Sequence, residues 1–152
     1  MENTTIAAIS TPLGAGGISI IRLSGKDSLE IAKKSFSSKE WKDVVEPRKL
    51  VLGKFNANTF TESCMAVYFK EPYSYTGEDT VEFQCHGGVL IAKGVLNTLL
   101  SNGASLAGPG EFTKRAFFNG KISLDEAEGV MDMINAESEA EIKAGYNLLQ
   151  GK

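Results

Sequence analysis

The hydrophobic rhythm of this sequence changes once, near residue 120, and that change limits what the chain can fold into. Beyond it, Leu124, Ala127, Met131, Ile134, Ile142, Tyr146 and Leu149 recur at steps near three and four, the spacing of one face of an α-helix. Ser123-Leu124-Asp125-Glu126 supplies a capping box that starts it. Before residue 120 the chain is cut into short runs by breaks rich in Gly, Pro and Asn. The rhythm predicts an α+β domain over residues 1–120, followed at 121–152 by one long amphipathic helix. A helix with an apolar stripe needs something to lie against, so the chain is expected to be the front of a longer one whose partner helices follow.

Within the first region, residues 4–9 and 18–23 read as strands flanking the loop Thr11-Pro12-Leu13-Gly14-Ala15-Gly16-Gly17. Ser24 is placed to cap the next helix, with Asp27 three residues on, and Leu29, Ala32 and Phe36 form its apolar face. Residues 37–47 are polar and punctuated, and read as a surface excursion. Residues 50–55 and 64–69 are strands joined at Asn56-Ala57-Asn58. Residues 80–85 alternate, with Val81, Phe83 and Cys85 on one face and Glu82 and Gln84 on the other. Helices are predicted over 89–100, stopped by Asn102-Gly103, and over 112–118, ended by Asn119-Gly120.

Composition excludes several classes of protein. No apolar run approaches the roughly 20 residues of a membrane helix, and residues 1–5 lack a secretory signal. The two cysteines, Cys64 and Cys85, both lie in apolar strands, so a disulfide framework is not expected and the cytoplasm is the expected compartment. Net charge is −3. The basic residues are spread along the chain, with Lys114-Arg115 and Arg48-Lys49 the only pairs, so weak RNA binding at most is expected of this region alone.

The candidate chemistry is sparse. The first Gly-rich loop lacks the Gly-Lys-Ser/Thr ending of a P-loop and is followed by a strand, so it reads as a tight connection. Arg22 stands near the end of an apolar strand, either snorkelling to solvent or aimed at an oxygen of a ligand. Glu82 is either a solvated carboxylate or an acceptor for the paired N–H donors of a heterocycle such as a pterin. Cys85 and His86 are strand neighbours that point to opposite faces. With one histidine in the chain they predict neither a zinc site nor a nucleophile–base pair. Residues 71–79 form an irregular loop carrying Tyr73 and Tyr75. Lys121 reads as a solvated lysine. No catalytic acid–base pair or triad, and no metal site, is expected.

Taken in order, several segments match a known pattern. These are Thr5-Ile6-Ala7-Ala8-Ile9-Ser10-Thr11-Pro12, Gly14-Ala15-Gly16-Gly17-Ile18 and Ile21-Arg22-Leu23-Ser24-Gly25. Then come Tyr75-Thr76-Gly77-Glu78-Asp79, Cys85-His86-Gly87-Gly88, residues 109–117 and Asn119-Gly120-Lys121. The sequence thus resembles the N-terminal region of the MnmE (TrmE) family of tRNA uridine-modification GTPases, least closely between residues 37 and 62. Many members carry Arg where Ala15 stands.

The resemblance implies a domain like the tetrahydrofolate-binding domain of aminomethyltransferases, with a mixed or antiparallel sheet and flanking helices. It implies a homodimer that binds 5-formyl-tetrahydrofolate or another tetrahydrofolate through Arg22, Glu82 and Lys121. It further implies a longer protein whose GTPase domain holds GTP, magnesium and potassium. That protein would act with the flavoprotein MnmG on the wobble uridine (U34) of certain tRNAs. Two other readings stay open here: a structural dimerisation module without folate, and a free-standing folate-dependent one-carbon transferase.

Overall fold

The computed structural model describes residues 4–11 and 17–149, and their side chains except at 141–142 and 144–149. Seven strands occur among them: β1 (Ile6–Ile9), β2 (Ile18–Ser24), β3 (Phe36–Ser37), β4 (Val51–Asn56), β5 (Thr61–Phe69), β6 (Thr80–His86) and β7 (Ser105–Leu106). Four α-helices accompany them: α1 (Ser28–Lys33), α2 (Val89–Ser101), α3 (Glu111–Phe118) and α4 (Leu124–Leu149). The strands form one sheet in the order β3-β4-β5-β6-β2-β1-β7. All neighbours are antiparallel except β1 and β7, which run parallel, so the sheet is mixed.

The period-2 pattern of β2 and β6 decides which face is covered. Ile21, Leu23, Val81, Phe83 and Cys85 are all fully buried and belong to one core cluster with Ile31 and Ala32 of α1 and Ala92, Val95 and Leu99 of α2. Aromatic edges complete it, Phe55 meeting Phe83 with ring centroids 5.2 Å apart. Removing apolar surface from water is what holds this layer together. The alternate residues, Arg22 and Glu82 among them, are left on the opposite face.

At the far end of the domain, α3 and α4 pack against each other, with Ala127 buried and Met131 and Ile134 half-buried. The capping box forms as its residues predict. The Glu126 N–H donates to Ser123 Oγ at 3.1 Å, and the Ser123 N–H donates to Glu126 Oε1 at 3.2 Å.

Several local expectations are corrected. Ser24 does not cap α1; it ends β2, fully buried, and the helix begins after Asp27. Burial of its hydroxyl against Thr76 and Glu78 outweighs the local capping preference. Phe36 is not on α1, which stops at Lys33; it lies in β3 with its ring buried beside Trp41 and Phe83. The 37–47 stretch is not wholly superficial, since Trp41 and Val45 reach into the core from a single 3-10 turn, Lys39–Trp41, and the residues after it. Leu124 is 54% exposed rather than on the covered stripe of α4. Residues 12–16 of the first Gly-rich loop, Ala15 included, and the side chains of Ile142, Tyr146 and Leu149 lie outside the described residues.

Candidate functional site

Arg22 and Glu82 are direct cross-strand partners in the β2–β6 ladder. Arg22 Nε donates to Glu82 Oε2 at 2.8 Å, and the two side chains are 22% and 17% exposed. The guanidinium carbon also stands 5.5 Å from the Tyr75 ring centroid and 5.2 Å from that of Phe112, within reach of a cation–π attraction. One carboxylate oxygen is thus occupied, while no described residue donates to Oε1.

Glu82 opens into a cavity of about 460 Å³ lined by Arg48, Phe69, Tyr73, Ser74, Tyr75, Thr80 and Lys121. Small-molecule sites commonly span some 300–1,000 Å³. Three aromatic rings and a hydroxyl pair form the walls. The carboxylate of Glu82 marks one part of the lining, and the cations of Arg48 and Lys121 mark others. Of the three residues named from the sequence, the fold brings Glu82 and Lys121 into one cavity. Arg22 does not line it and borders it through Glu82 and Tyr75.

The loop between β5 and β6 forms much of the wall, and buried polar contacts hold it. Arg115 of α3, 2% exposed, donates to the Thr4 carbonyl at 2.7 Å, to Glu78 Oε1 at 3.1 Å and to Glu111 Oε2 at 3.2 Å. Ser24 Oγ donates to the same Glu78 oxygen at 2.8 Å. The hydroxyls of Tyr75 and Thr113 lie 2.9 Å apart. Asp79 Oδ1 accepts from the Glu71 N–H at 2.9 Å and from the Tyr68 hydroxyl at 3.2 Å. Burial, with the Asp79 carboxylate adding to it, pushes the Tyr68 hydroxyl up to about 12.

Lys121 is placed by the end of α3. Its N–H donates to the Ala116 carbonyl at 2.9 Å after Gly120 turns the chain at φ 72°. Its Nζ donates to the Pro72 carbonyl at 3.0 Å, tying it to the same loop. Gly77 allows this approach. Its φ is +81°, and a Cβ there would stand 2.9 Å from Asn119 Cβ and 3.2 Å from Lys121 Cγ.

Sequence reasoning missed Arg48 and Arg115. Arg48 adopts φ 60°, and its N–H donates to the Tyr68 carbonyl at 2.8 Å; nothing in Pro47-Arg48-Lys49 announces that. In the sequence Arg115 stands only as half of the basic pair Lys114-Arg115. The neighbours Cys85 and His86 do diverge, one buried and one exposed. The Cys64 thiol is pushed up by its hydrogen bond to Cys85 and by burial, so it is a poor nucleophile. Among the described residues, no three His, Cys, Asp or Glu side chains stand together as a metal site. No described helix is long and apolar enough to cross a membrane.

The sequence model of a family described as "GTP-binding protein TrmE N-terminus" matches residues 5–121. The tRNA modification GTPase MnmE of Caldicellulosiruptor saccharolyticus is 44% identical over 154 residues, covering 99% of this chain and 34% of the relative. The protein of that name from a Nitratiruptor species is 48% identical, covering 99% of this chain and 33% of its own length. That of Thermotoga maritima is 46% identical, covering 97% and 32%. The chain therefore spans about a third of the length of the curated relatives it matches.

Proposed function

This chain belongs to the TrmE N-terminus family, and from that premise we propose that it is the tetrahydrofolate-binding, homodimerising front part of a tRNA modification GTPase. The observation that carries the reading is the cavity at Glu82 and its distribution of charge. A reduced folate has a pterin edge with adjacent N–H donors, an apolar ring system and a carboxylate tail. Glu82 Oε1 is available to accept from the edge, Phe69, Tyr73 and Tyr75 offer ring surface, and Arg48 and Lys121 suit the carboxylates. In this arrangement Arg22 is a positioning residue, orienting the Glu82 carboxylate through the 2.8 Å bond. On this reading the domain binds and presents the folate.

The remaining functions belong to the whole protein on this reading. Its GTPase domain would hydrolyse GTP, and together with the flavoprotein MnmG it would modify the wobble uridine of tRNA. The folate would be the one-carbon donor. The likeness to aminomethyltransferase folate domains is part of the same proposal.

Calorimetric titration with 5-formyl-tetrahydrofolate tests the binding. Saturable uptake is expected, weakened at least about tenfold in Glu82→Ala, the effect of losing a charged hydrogen-bond partner. A folded chain that takes up no folate would overturn the binding reading. Sedimentation equilibrium tests the dimer separately: a monomer at all concentrations would remove that part.

A further inference from the structure

Cys64 and Cys85 are the chain's two cysteines, both free and both buried. They are 21 positions apart in the sequence, yet the fold sets them side by side. The antiparallel β5–β6 ladder pairs Met65 with Gln84, Ala66 with Phe83, and so on to Phe69 with Thr80. One residue further along that register Cys64 stands opposite Cys85, and the Cys85 thiol is the first cause pushing the Cys64 thiol up. Both sulfurs belong to the same core cluster as Ala66 and Phe83. Opposed residues of an antiparallel pair have Cα atoms about 4.5–5.5 Å apart, inside the roughly 4.4–6.8 Å that a disulfide spans.

The pair is the outermost buried rung at its end of the ladder. Just beyond it Ser63 of β5 and His86 of β6 are exposed, as are Gly87 and Gly88 after them. A strand end opens at lower cost than the interior of a sheet, and that opening admits a small oxidant. While the rung is closed, burial and the neighbouring thiol keep Cys64 protonated, so the resting pair is a dithiol. The segment between the two cysteines carries Phe69, Tyr73, Ser74, Tyr75, Thr80 and Glu82, six of the eight residues lining the cavity at Glu82.

We propose that Cys64 and Cys85 form a reversible redox site, which a hydroperoxide oxidises to a cross-strand disulfide that clamps the segment carrying the cavity wall. In the first step a thiolate sulfur attacks one peroxide oxygen and the O–O bond breaks. The hydroxide released takes up that thiol's proton as water, leaving a sulfenic acid. The other sulfur then attacks the sulfenic sulfur, the S–O bond breaks, and hydroxide leaves with the second thiol proton as a second water. Two electrons pass from the sulfurs to the peroxide oxygens. A dithiol reductant restores both thiols by exchange. Closing a loop of about 20 residues removes freedom from the unfolded chain and so stabilises the fold. The site acts whether or not the cavity takes a folate, so this inference and the proposed function fail separately.

The experiment treats the full chain, reduced and folded, with a small excess of hydrogen peroxide under native conditions. The expected product is a single chain lighter by two hydrogen atoms on intact-mass measurement. It should show no titratable thiol after denaturation and should yield a proteolytic peptide pair joined through Cys64 and Cys85. Dithiothreitol should reverse all of this. The oxidised chain should melt about 5–10 °C above the reduced one. In Cys64→Ala, peroxide should neither remove two hydrogens nor raise the melting temperature. If that variant does not fold, the unsubstituted chain measured with and without dithiothreitol carries the test alone. The proposal is overturned by thiols that resist peroxide until the chain is denatured, or by oxygen added to either sulfur without loss of two hydrogens. Disulfides formed only between chains overturn it too, as does an internal disulfide that fails to raise the melting temperature.

Discussion

Two arginine–glutamate pairs of nearly equal length involve glutamates four residues apart, Glu78 just before β6 and Glu82 within it, and serve different ends. Arg115 and Glu78 are 3.1 Å apart, with Arg115 3% exposed in its side chain. Both terminal nitrogens of that guanidinium are engaged, by the Thr4 and Ser24 carbonyls, the Thr4 hydroxyl, Glu78 and Glu111. Arg22 and Glu82 are 2.8 Å apart and partly exposed, and of their several donor and acceptor positions only Nε and Oε2 meet each other. A buried charge must be fully partnered to persist, whereas one left half-partnered at a cavity keeps capacity for a ligand. Distance alone does not separate a structural pair from a binding pair; the count of unspent hydrogen-bond positions does.

The contrast can be broken most forcefully at the buried end. Arg115→Met should destabilise the chain by about 3–5 kcal/mol, because it strands Glu78 and the Thr4 carbonyl; urea unfolding measures it. A loss below about 1 kcal/mol would mean that this pair, too, is dispensable. Gly77→Ala comes next. Strain at φ +81° and the contact with Asn119 should cost about 2 kcal/mol, and folate affinity should drop with it because Lys121 is displaced. At the exposed end, Glu82→Gln should change stability by about 1 kcal/mol or less, yet weaken folate binding at least about tenfold. Equal losses of stability from Glu82→Gln and Arg115→Met would erase the distinction drawn here.

The smallest effect concerns pH. The Tyr68 hydroxyl is raised to about 12 in the folded state, against an ordinary tyrosine value near 10. The folded chain therefore holds this proton more tightly than the unfolded chain does. Stability from this group is complete below pH of about 10 and is lost as pH rises toward 12. In a spectrophotometric alkaline titration, one of the chain's four tyrosines should ionise late. Tyr68→Phe should remove that late phase and leave the others in place.

Much of the architecture was legible because its signals are local. The alternation of residues 80–85, the Asn-Gly stops at 102–103 and 119–120, and the capping box at Ser123 each involve neighbours a few residues apart. The structure places β6, α2, α3 and α4 within a residue or two of those marks. Ser24 and Phe36 misled for the same reason: a good local role, as cap or helix face, lost to burial against distant residues. The site divides along this line. Glu82 was legible as the polar side of an alternating strand, while its pairing with Arg22 depends on β2 lying beside β6 in one register, a contact between residues sixty positions apart.

By itself, then, the sequence determined the elements, the change of period near residue 120, and membership of a family through the order of its motifs. Tertiary structure alone decided which charges meet: Arg115 with Glu78, and Arg48 and Lys121 with Glu82 around one cavity. The physical reason is that hydrophobic periodicity is a property of adjacent residues and can be read along the chain. The electrostatic role of a side chain is set by whatever the fold brings within a few ångströms, and no local pattern encodes it.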